Sequence, residues 1–212
     1  MYRVDLNCDM GESFGNYVLG NDRQILDFVT SANIACGYHA GDPSVMRKTA
    51  RMALDRGVAI GAHPSYPDLQ GFGRRFMTVS PHELNDMVLF QIGALAAIVG
   101  REGGRLQHVK AHGALYNAAA EDRALADAIA SAVRSADPDL SELLAAGERV
   151  GLRTASEGFA DRTYQADGSL RSRGQPGALI EDPAVALEQS VRMVVDGVVR
   201  SHEKTDVVIK AD

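Results

Sequence analysis

At 212 residues, the chain is long enough to bury the core of one sizeable α/β domain. Apolar residues make up 45% of it and charged residues 24%, a balance that is typical of globular proteins and excludes a largely disordered chain. The formal net charge of -6, without a basic stripe interleaved with aromatic residues, disfavours nonspecific binding to nucleic acid and favours small molecules or proteins as partners.

The first residues form a strand-like segment without the charged and apolar regions of a signal peptide. No apolar run approaches the roughly 18 to 20 residues of a membrane span. We therefore expect a cytoplasmic protein without a membrane partner. Cys8 and Cys36 lack the number and spacing of a disulfide scaffold or a zinc site, which indicates reduced packing residues.

Short apolar runs alternate with longer helical patterns along the chain. In order, the predicted strands are Tyr2–Asp9, Ser31–Cys36, Val58–His63, Gln107–His112, Leu152–Glu157 and Asp206–Lys210. A capping residue precedes proline at Asp42, Ser80 and Asp182, and Glu83 completes a capping box with Ser80. Glycines stand where left-handed caps would end the helices, at Gly57, Gly100, Gly151 and Gly197.

Strands that alternate with helices of this length predict βα units around a parallel sheet. In the first strand, Asp5, Asn7 and Asp9 share one face and apolar residues share the other. An open sheet covered by helices needs two apolar faces, whereas a barrel strand turns one face to the helices and one to the lumen. The alternation favours an α/β fold of the irregular (β/α) barrel class over a doubly wound sheet, as a single domain over residues 1–212.

Two places interrupt this rhythm. The segment DPDLSELLAAGERVG, residues 137–151, has room for a turn and a helix but contains no predicted strand, so one strand unit is expected to be missing near 137–141. The last predicted strand has no covering helix after it. The last unit of the barrel is therefore expected to be truncated.

Polar residues collect at the ends of successive predicted strands, which lie on one face of a parallel α/β fold. Carboxylates and imidazoles held together have shifted pKa values and transfer protons near neutral pH, as a water-activating amidase or deacetylase requires. A lysine among them can neutralise a developing oxyanion. The predicted catalytic residues are Asp9, Glu12, Lys110, His112 and Glu157. The predicted substrate-binding residues at these strand ends are Asn7, His39, His63 and Asp161.

Three further predictions concern ligands. Asp9, His39 and His63 provide a carboxylate and two imidazoles that would suit a divalent metal ion, although no local motif such as HExxH supports the site. Arg74, Arg75 and Arg162, in two long loops after strands, either bind a carboxylate or phosphate or are solvated. The sequence contains no GxxxxGK[ST] motif, so an ATP site would not be of the P-loop kind.

Several motifs together resemble one family. In order, VDLNCDMGESFG, SANIACGYHAGDP, GAHPSYPDLQGFGRR, VKAHGALYN, SEGFADRTYQADGSLRSRGQPGALI and the closing IKAD are similar to the LamB/YcsF family. The resemblance spans essentially the whole chain. The family pattern has a strand where SADPDLSEL stands and continues past KAD, which are the two places where the rhythm breaks.

The resemblance implies an irregular α/β barrel like that of the glycoside hydrolase and polysaccharide deacetylase group. It also implies a hydrolase that opens the cyclic amide 5-oxoproline (pyroglutamate) to L-glutamate, with partner subunits B and C and with ATP as co-substrate, bound on the partners. In this reading the chain binds the activated lactam and positions water. Two alternatives stay open: a metal-dependent deacetylase of carbohydrate-like substrates, and a noncatalytic subunit that binds ligand and regulates its partners.

Overall fold

The computed structural model describes residues 3–142 and 146–209. The chain falls into two compact units, one of residues 5–155 and the other of residues 156–209 together with residues 3 and 4. Each unit is described by itself. A single domain over residues 1–212 stays a prediction.

In the part of the first unit that the structure describes, six strands form a parallel sheet in sequential order. Its strands are β1 (Asn7–Met10), β2 (Ser31–Ala35), β3 (Ala59–His63), β4 (His108–Val109), β5 (Ser141–Glu142) and β6 (Arg153–Thr154). A doubly wound sheet reverses its strand order at a switch point, whereas the strands of a (β/α) barrel follow one another around its wall. The sequential order therefore agrees with the predicted barrel class of α/β fold.

The polar and apolar faces of the strands alternate as predicted. The parallel register places Asp9 beside Asn33, and Asn33 beside Gly61, which is in turn beside His108. These residues share the polar face of the sheet. On the opposite face, buried side chains form the apolar core together with the helices, among them Met10, Ile34, Ile60, Ala62 and Val109. The polar face is thus available to build a site at the strand ends.

Among its described residues, this unit has six helices: α1 (Asp22–Ile25), α2 (Pro43–Leu54), α3 (Pro81–Arg101), α4 (Gly113–Glu121), α5 (Arg123–Ala136) and α6 (Ala146–Arg149). The predicted starts of α2 and α3 are confirmed. Asp42 accepts from the main-chain nitrogens of Ser44 and Val45, and Ser80 and Glu83 form the complete capping box. The prediction of a C-terminal cap at Gly100 is wrong, because α3 continues to Arg101 and the chain turns at Gly103 with a φ of 87°.

The expectation of a missing strand near 137–141 is also wrong. Strand β5 lies at Ser141–Glu142 and pairs in parallel with both β4 and β6. The main-chain nitrogen of Ser141 donates to the carbonyl oxygen of Gln107 across 3.1 Å. A strand of two residues is too short to show a period-two pattern, so no alternation of polar and apolar residues marks it.

Helix α3 differs from the sequence-based expectation in another respect. By length and composition alone it could cross a membrane, although no sufficiently apolar run was expected. Its side chains Leu84, Val88, Ile92, Leu95 and Val99 are buried in the core of the first unit. They give the helix a core-packing role in this fold.

The second unit contains α7 (Pro183–Asp196), β7 (Val198–Arg200) and β8 (Asp206–Val208). Asp182 caps α7 as predicted, and Gly197 ends it in the left-handed conformation with a φ of 68°. Strand β8 pairs antiparallel with β7, so the predicted last strand lies in a hairpin, and the truncation of the last barrel unit stays a prediction. Lys210, predicted as its last residue, and the KAD of the family motif lie outside the described residues.

Candidate active site

Asp9, in β1, lies between Lys110, which follows β4, and His63, which ends β3. Lys110 Nζ donates to Asp9 Oδ1 across 3.1 Å, and His63 Nε2 lies 3.2 Å from Asp9 Oδ2. Burial raises the pKa of Asp9, but the attraction of His63 and Lys110 outweighs burial and holds that pKa well below the usual aspartate value. Asp9 therefore stays ionised and is a poor proton acceptor.

Asn33, in β2, contacts both Asp9 and His108 on the polar face of the sheet. Its Nδ2 donates to Asn7 Oδ1 across 2.7 Å and to Asp9 Oδ1 across 3.0 Å, and its Oδ1 lies 2.7 Å from His108 Nε2. This arrangement fixes the carboxylate of Asp9 and engages Asn7. Sequence analysis did not select Asn33, although its place on the polar face of SANIAC was an available signal.

His63 and His112 meet at the ends of β3 and β4. His112 Nδ1 lies 2.9 Å from His63 Nε2. The outer nitrogen of each ring donates to a main-chain carbonyl: His63 Nδ1 to Lys110 across 2.7 Å, and His112 Nε2 to Phe72 across 2.9 Å. Burial, together with the neighbouring His63 and His39, lowers the pKa of His112 to about 3.

His39 and Glu12 complete this cluster. The imidazole of His39 stacks on that of His112, with ring centroids 3.8 Å apart and ring planes 5° apart. His39 Nε2 lies 3.1 Å from Glu12 Oε1, and His39 Nδ1 is buried without a described partner. Burial lowers the pKa of His39 to about 3. Burial also raises the pKa of Glu12 above the usual glutamate value, against the attraction of His63, so Glu12 accepts a proton more readily than Asp9 does.

Four of these residues could hold a metal ion. Glu12, His39, His63 and His112 each offer one ligand atom, and these atoms lie within 4.8 Å of one another. His39 and His63 were both predicted as metal ligands. Asp9, the third predicted ligand, instead pairs with Lys110 and His63, and its ligand role stays a prediction.

The loop after β3 closes one side of the cluster. Phe72 has a φ of 54°, unusual for a residue with a side chain, and its carbonyl oxygen is the acceptor for His112. The guanidinium of Arg74 lies over the Phe72 ring, 5.2 Å from its centroid. Arg75 is instead engaged by Asp68, its Nε lying 3.0 Å from both carboxylate oxygens. Of the two arginines in this loop, Arg74 is the one without a described ion pair.

The other predicted site residues, Glu157, Asp161 and Arg162, belong to the second unit. Arg162 is buried, and its Nη2 donates to the carbonyl oxygen of Arg171 across 2.7 Å. The main-chain oxygen of Asp161 accepts from Ile180 across 2.8 Å. These hydrogen bonds involve Arg162 and the backbone of Asp161 in stabilising their loop. The predicted catalytic role of Glu157 and the predicted substrate-binding roles of Asp161 and Arg162 stay predictions.

Comparison with known proteins gives one consistent result. The model of the LamB/YcsF family matches residues 4–212. The chain is 61% identical to the A subunit of 5-oxoprolinase from Bacillus licheniformis over 219 aligned residues, which cover 100% of this chain and 87% of that protein. It is 57% identical to the corresponding 5-oxoprolinase protein of Bordetella pertussis, covering 99% of this chain and 86% of the relative. Among solved structures it resembles a lactam utilization protein from Thermus thermophilus, with a TM-score of 0.96, 46% identity, and coverage of 99% of this chain and 88% of that one.

Proposed function

The chain belongs to the LamB/YcsF family, and from that premise we propose that it is the component of an ATP-dependent 5-oxoprolinase at which water attacks the lactam ring. The observation that carries the proposal is the cluster at the strand ends. It combines a glutamate of raised pKa, a lysine held by a carboxylate, and an arginine without a described ion pair. Relatives that bear the name of the 5-oxoprolinase A subunit, aligned over the full chain, support the same substrate.

Glu12 is the proposed proton acceptor. Opening 5-oxoproline requires water to add to the lactam carbonyl carbon and the ring C–N bond to break, with a proton passing to the ring nitrogen, which becomes the amine of glutamate. A general base works best when its pKa is close to the working pH, and burial shifts Glu12 in that direction. Asp9 positions Lys110 and His63, because its strongly lowered pKa makes it a weak base.

Two cations are proposed to bind the negative charges of the reaction. Lys110, held 3.1 Å from Asp9, is placed to stabilise the negative charge on the oxygens of the tetrahedral intermediate that forms when water adds to the activated ring carbon. Arg74, at the rim beside Phe72, is the proposed partner of the substrate carboxylate, because a guanidinium can bind a carboxylate through two parallel hydrogen bonds.

ATP supplies the activation that a resonance-stabilised lactam needs. We assign its binding to the partner subunits, B and C in the family resemblance, because this sequence lacks a P-loop motif. Transfer of the γ-phosphoryl group to the lactam oxygen makes the ring carbon more electrophilic. Water addition and C–N cleavage then give a glutamyl phosphate, and a second water releases phosphate and glutamate.

The test is release of glutamate from 5-oxoproline and ATP by the assembled complex. Glu12→Gln should lower kcat by about 10²–10⁴-fold with little change in KM, the range expected for loss of a general base. Arg74→Gln should raise the KM for 5-oxoproline, whereas Arg75→Gln, the neighbouring control that is paired with Asp68, should change it little.

Two outcomes would contradict the proposal. If the complex without this chain releases as much glutamate as the full complex, the chain is not the site of hydrolysis. If Glu12→Gln assembles normally and retains the wild-type kcat, the chain instead has a noncatalytic binding role.

A further inference from the structure

The contact between His63 and His112 requires a positive charge, either a proton on His63 Nε2 that is shared with Asp9 or a metal ion. Each ring donates its outer N–H to a main-chain carbonyl, an acceptor that has no proton to offer in return. In the neutral rings, His63 Nε2 and His112 Nδ1 are therefore both unprotonated, and their lone pairs face each other across 2.9 Å. Two lone pairs at this distance repel unless a positive charge lies between or beside them.

A third imidazole has an unused nitrogen in the same place. His39 stacks on His112, its side chain is fully buried, and its Nδ1 has no described partner. Because Nδ1 has no described acceptor, the neutral ring carries its proton on Nε2 and donates it to the carboxylate oxygen of Glu12 across 3.1 Å. Two parallel rings cannot both direct their in-plane lone pairs at one ion, so His39 stands beside the site as the partner of Glu12.

We propose that His63 and His112 bind one divalent transition-metal ion of the zinc class, with Glu12 and the stacked ring of His39 beside it. The separation of the two facing nitrogens is close to that expected for two ligands of one ion. Two ligands each about 2.1 Å from one metal, at roughly 90–109° to each other, are about 3.0–3.4 Å apart. His63 and His112 are separated by 2.9 Å at their facing nitrogens.

The surroundings of the ligands support the same conclusion. A metal-bound histidine normally donates its other ring N–H to a carbonyl or carboxylate, which fixes the tautomer, and His63 and His112 both do so. Imidazole donors select zinc, cobalt, nickel or copper over magnesium and calcium, which prefer oxygen. Glu12 is left outside the ligand set because its Oε1 is engaged by His39 and lies 3.7 Å from His112 Nδ1.

Metal binding is measured on the untagged full chain without its partners, so the outcome does not depend on the proposed function. After incubation with zinc chloride and gel filtration, the wild-type chain should retain one equivalent of zinc by elemental analysis. His63→Ala and His112→Ala should each raise the dissociation constant at least 100-fold in titration calorimetry. The matched control is His82→Ala, a histidine on α3 whose side chain is 88% exposed.

The remaining variants separate the ligands from their neighbours. Glu12→Gln should bind zinc within about tenfold of wild type, because it removes a charge beside the ion but no ligand. His112→Gln serves if His112→Ala does not fold, as judged by circular dichroism. The proposal is overturned if the wild type binds zinc no better than a folded His63 or His112 variant, or if Glu12→Gln loses as much affinity as they do.

Discussion

Gly61 and His108 allow a direct test of how the polar face of the sheet is packed. Gly61 lies in β3, and a Cβ added to it would overlap the Nε2, Cδ2 and Cε1 atoms of the His108 ring. The backbone of Gly61 is not left-handed, so alanine would meet steric overlap there without backbone strain. Gly61→Ala must therefore displace His108 and break its 2.7 Å contact with Asn33.

The expected cost follows from these two consequences. Overpacking a filled interior costs about 1–3 kcal/mol, and leaving buried polar groups without a partner costs about 1–3 kcal/mol. Gly61→Ala should therefore lower the free energy of unfolding by about 2–6 kcal/mol, measured by urea denaturation of the full chain. Without the His108 contact, the amide of Asn33 is no longer fixed against Asp9, so catalysis by the assembled complex should fall as well.

A double-mutant cycle makes this reasoning refutable. In a His108→Ala background the space above Gly61 is open, and Gly61→Ala should then be neutral or stabilise by a few tenths of a kcal/mol to about 1 kcal/mol, because alanine restricts the unfolded chain. The two substitutions should show a coupling energy of about 2 kcal/mol or more. Equal costs for Gly61→Ala in both backgrounds would refute this packing of the His108 ring over Gly61.

Three further predictions concern charge and capping. Lys110→Met should raise the pKa of Asp9, measured by NMR titration, and destabilise the fold by about 1–2 kcal/mol. This cost is below that of breaking a fully buried ion pair because the Asp9 side chain is 36% exposed. An unchanged pKa of Asp9 would contradict the ion pair. Because the pKa of Asp9 is lowered on folding, its stabilisation is present above the unfolded value of about 3.9 and is lost as pH falls through the folded value. Asp9→Asn should therefore reduce the pH dependence of stability below about pH 4, and identical acid denaturation curves would be the contrary result. Ser80→Ala should cost about 1 kcal/mol in thermal unfolding by removing the capping box of α3, whereas an effect below about 0.3 kcal/mol would show that the cap is dispensable.

The parts of the fold that carry a repeating chemical pattern could be predicted from the sequence. The alternation around Asp9 predicted the polar face, and the residues before proline predicted where α2, α3 and α7 begin. Strand β5 could not be predicted, since two residues have no period and its pairing depends on β4 and β6, which are remote in sequence. Gly100 failed as a helix end because the apolar face of α3 continues to pack up to Val99 and the helix runs on to Arg101.

The candidate site was predictable to the level of its side chains but not of their partners. His39, His63 and His112 were selected because they follow strands, and the fold brings all three together. The preference for Glu12 over Asp9 as a base depends on burial and on ion pairs, which only the folded arrangement supplies. The carbonyl oxygen of Phe72 had no sequence signal, because every residue carries one.

Lys110 shows why side-chain substitutions can underestimate the contribution of a residue that also acts through its main chain. Its ammonium group holds Asp9, while its main-chain oxygen accepts the proton that sets the tautomer of His63. Replacing the side chain removes the first contact and leaves the second intact. A mild phenotype for Lys110→Ala would therefore describe the ammonium group alone. A backbone ester in place of the peptide bond that follows residue 110 would weaken the carbonyl oxygen as an acceptor. That substitution would reveal what the hydrogen bond from His63 contributes.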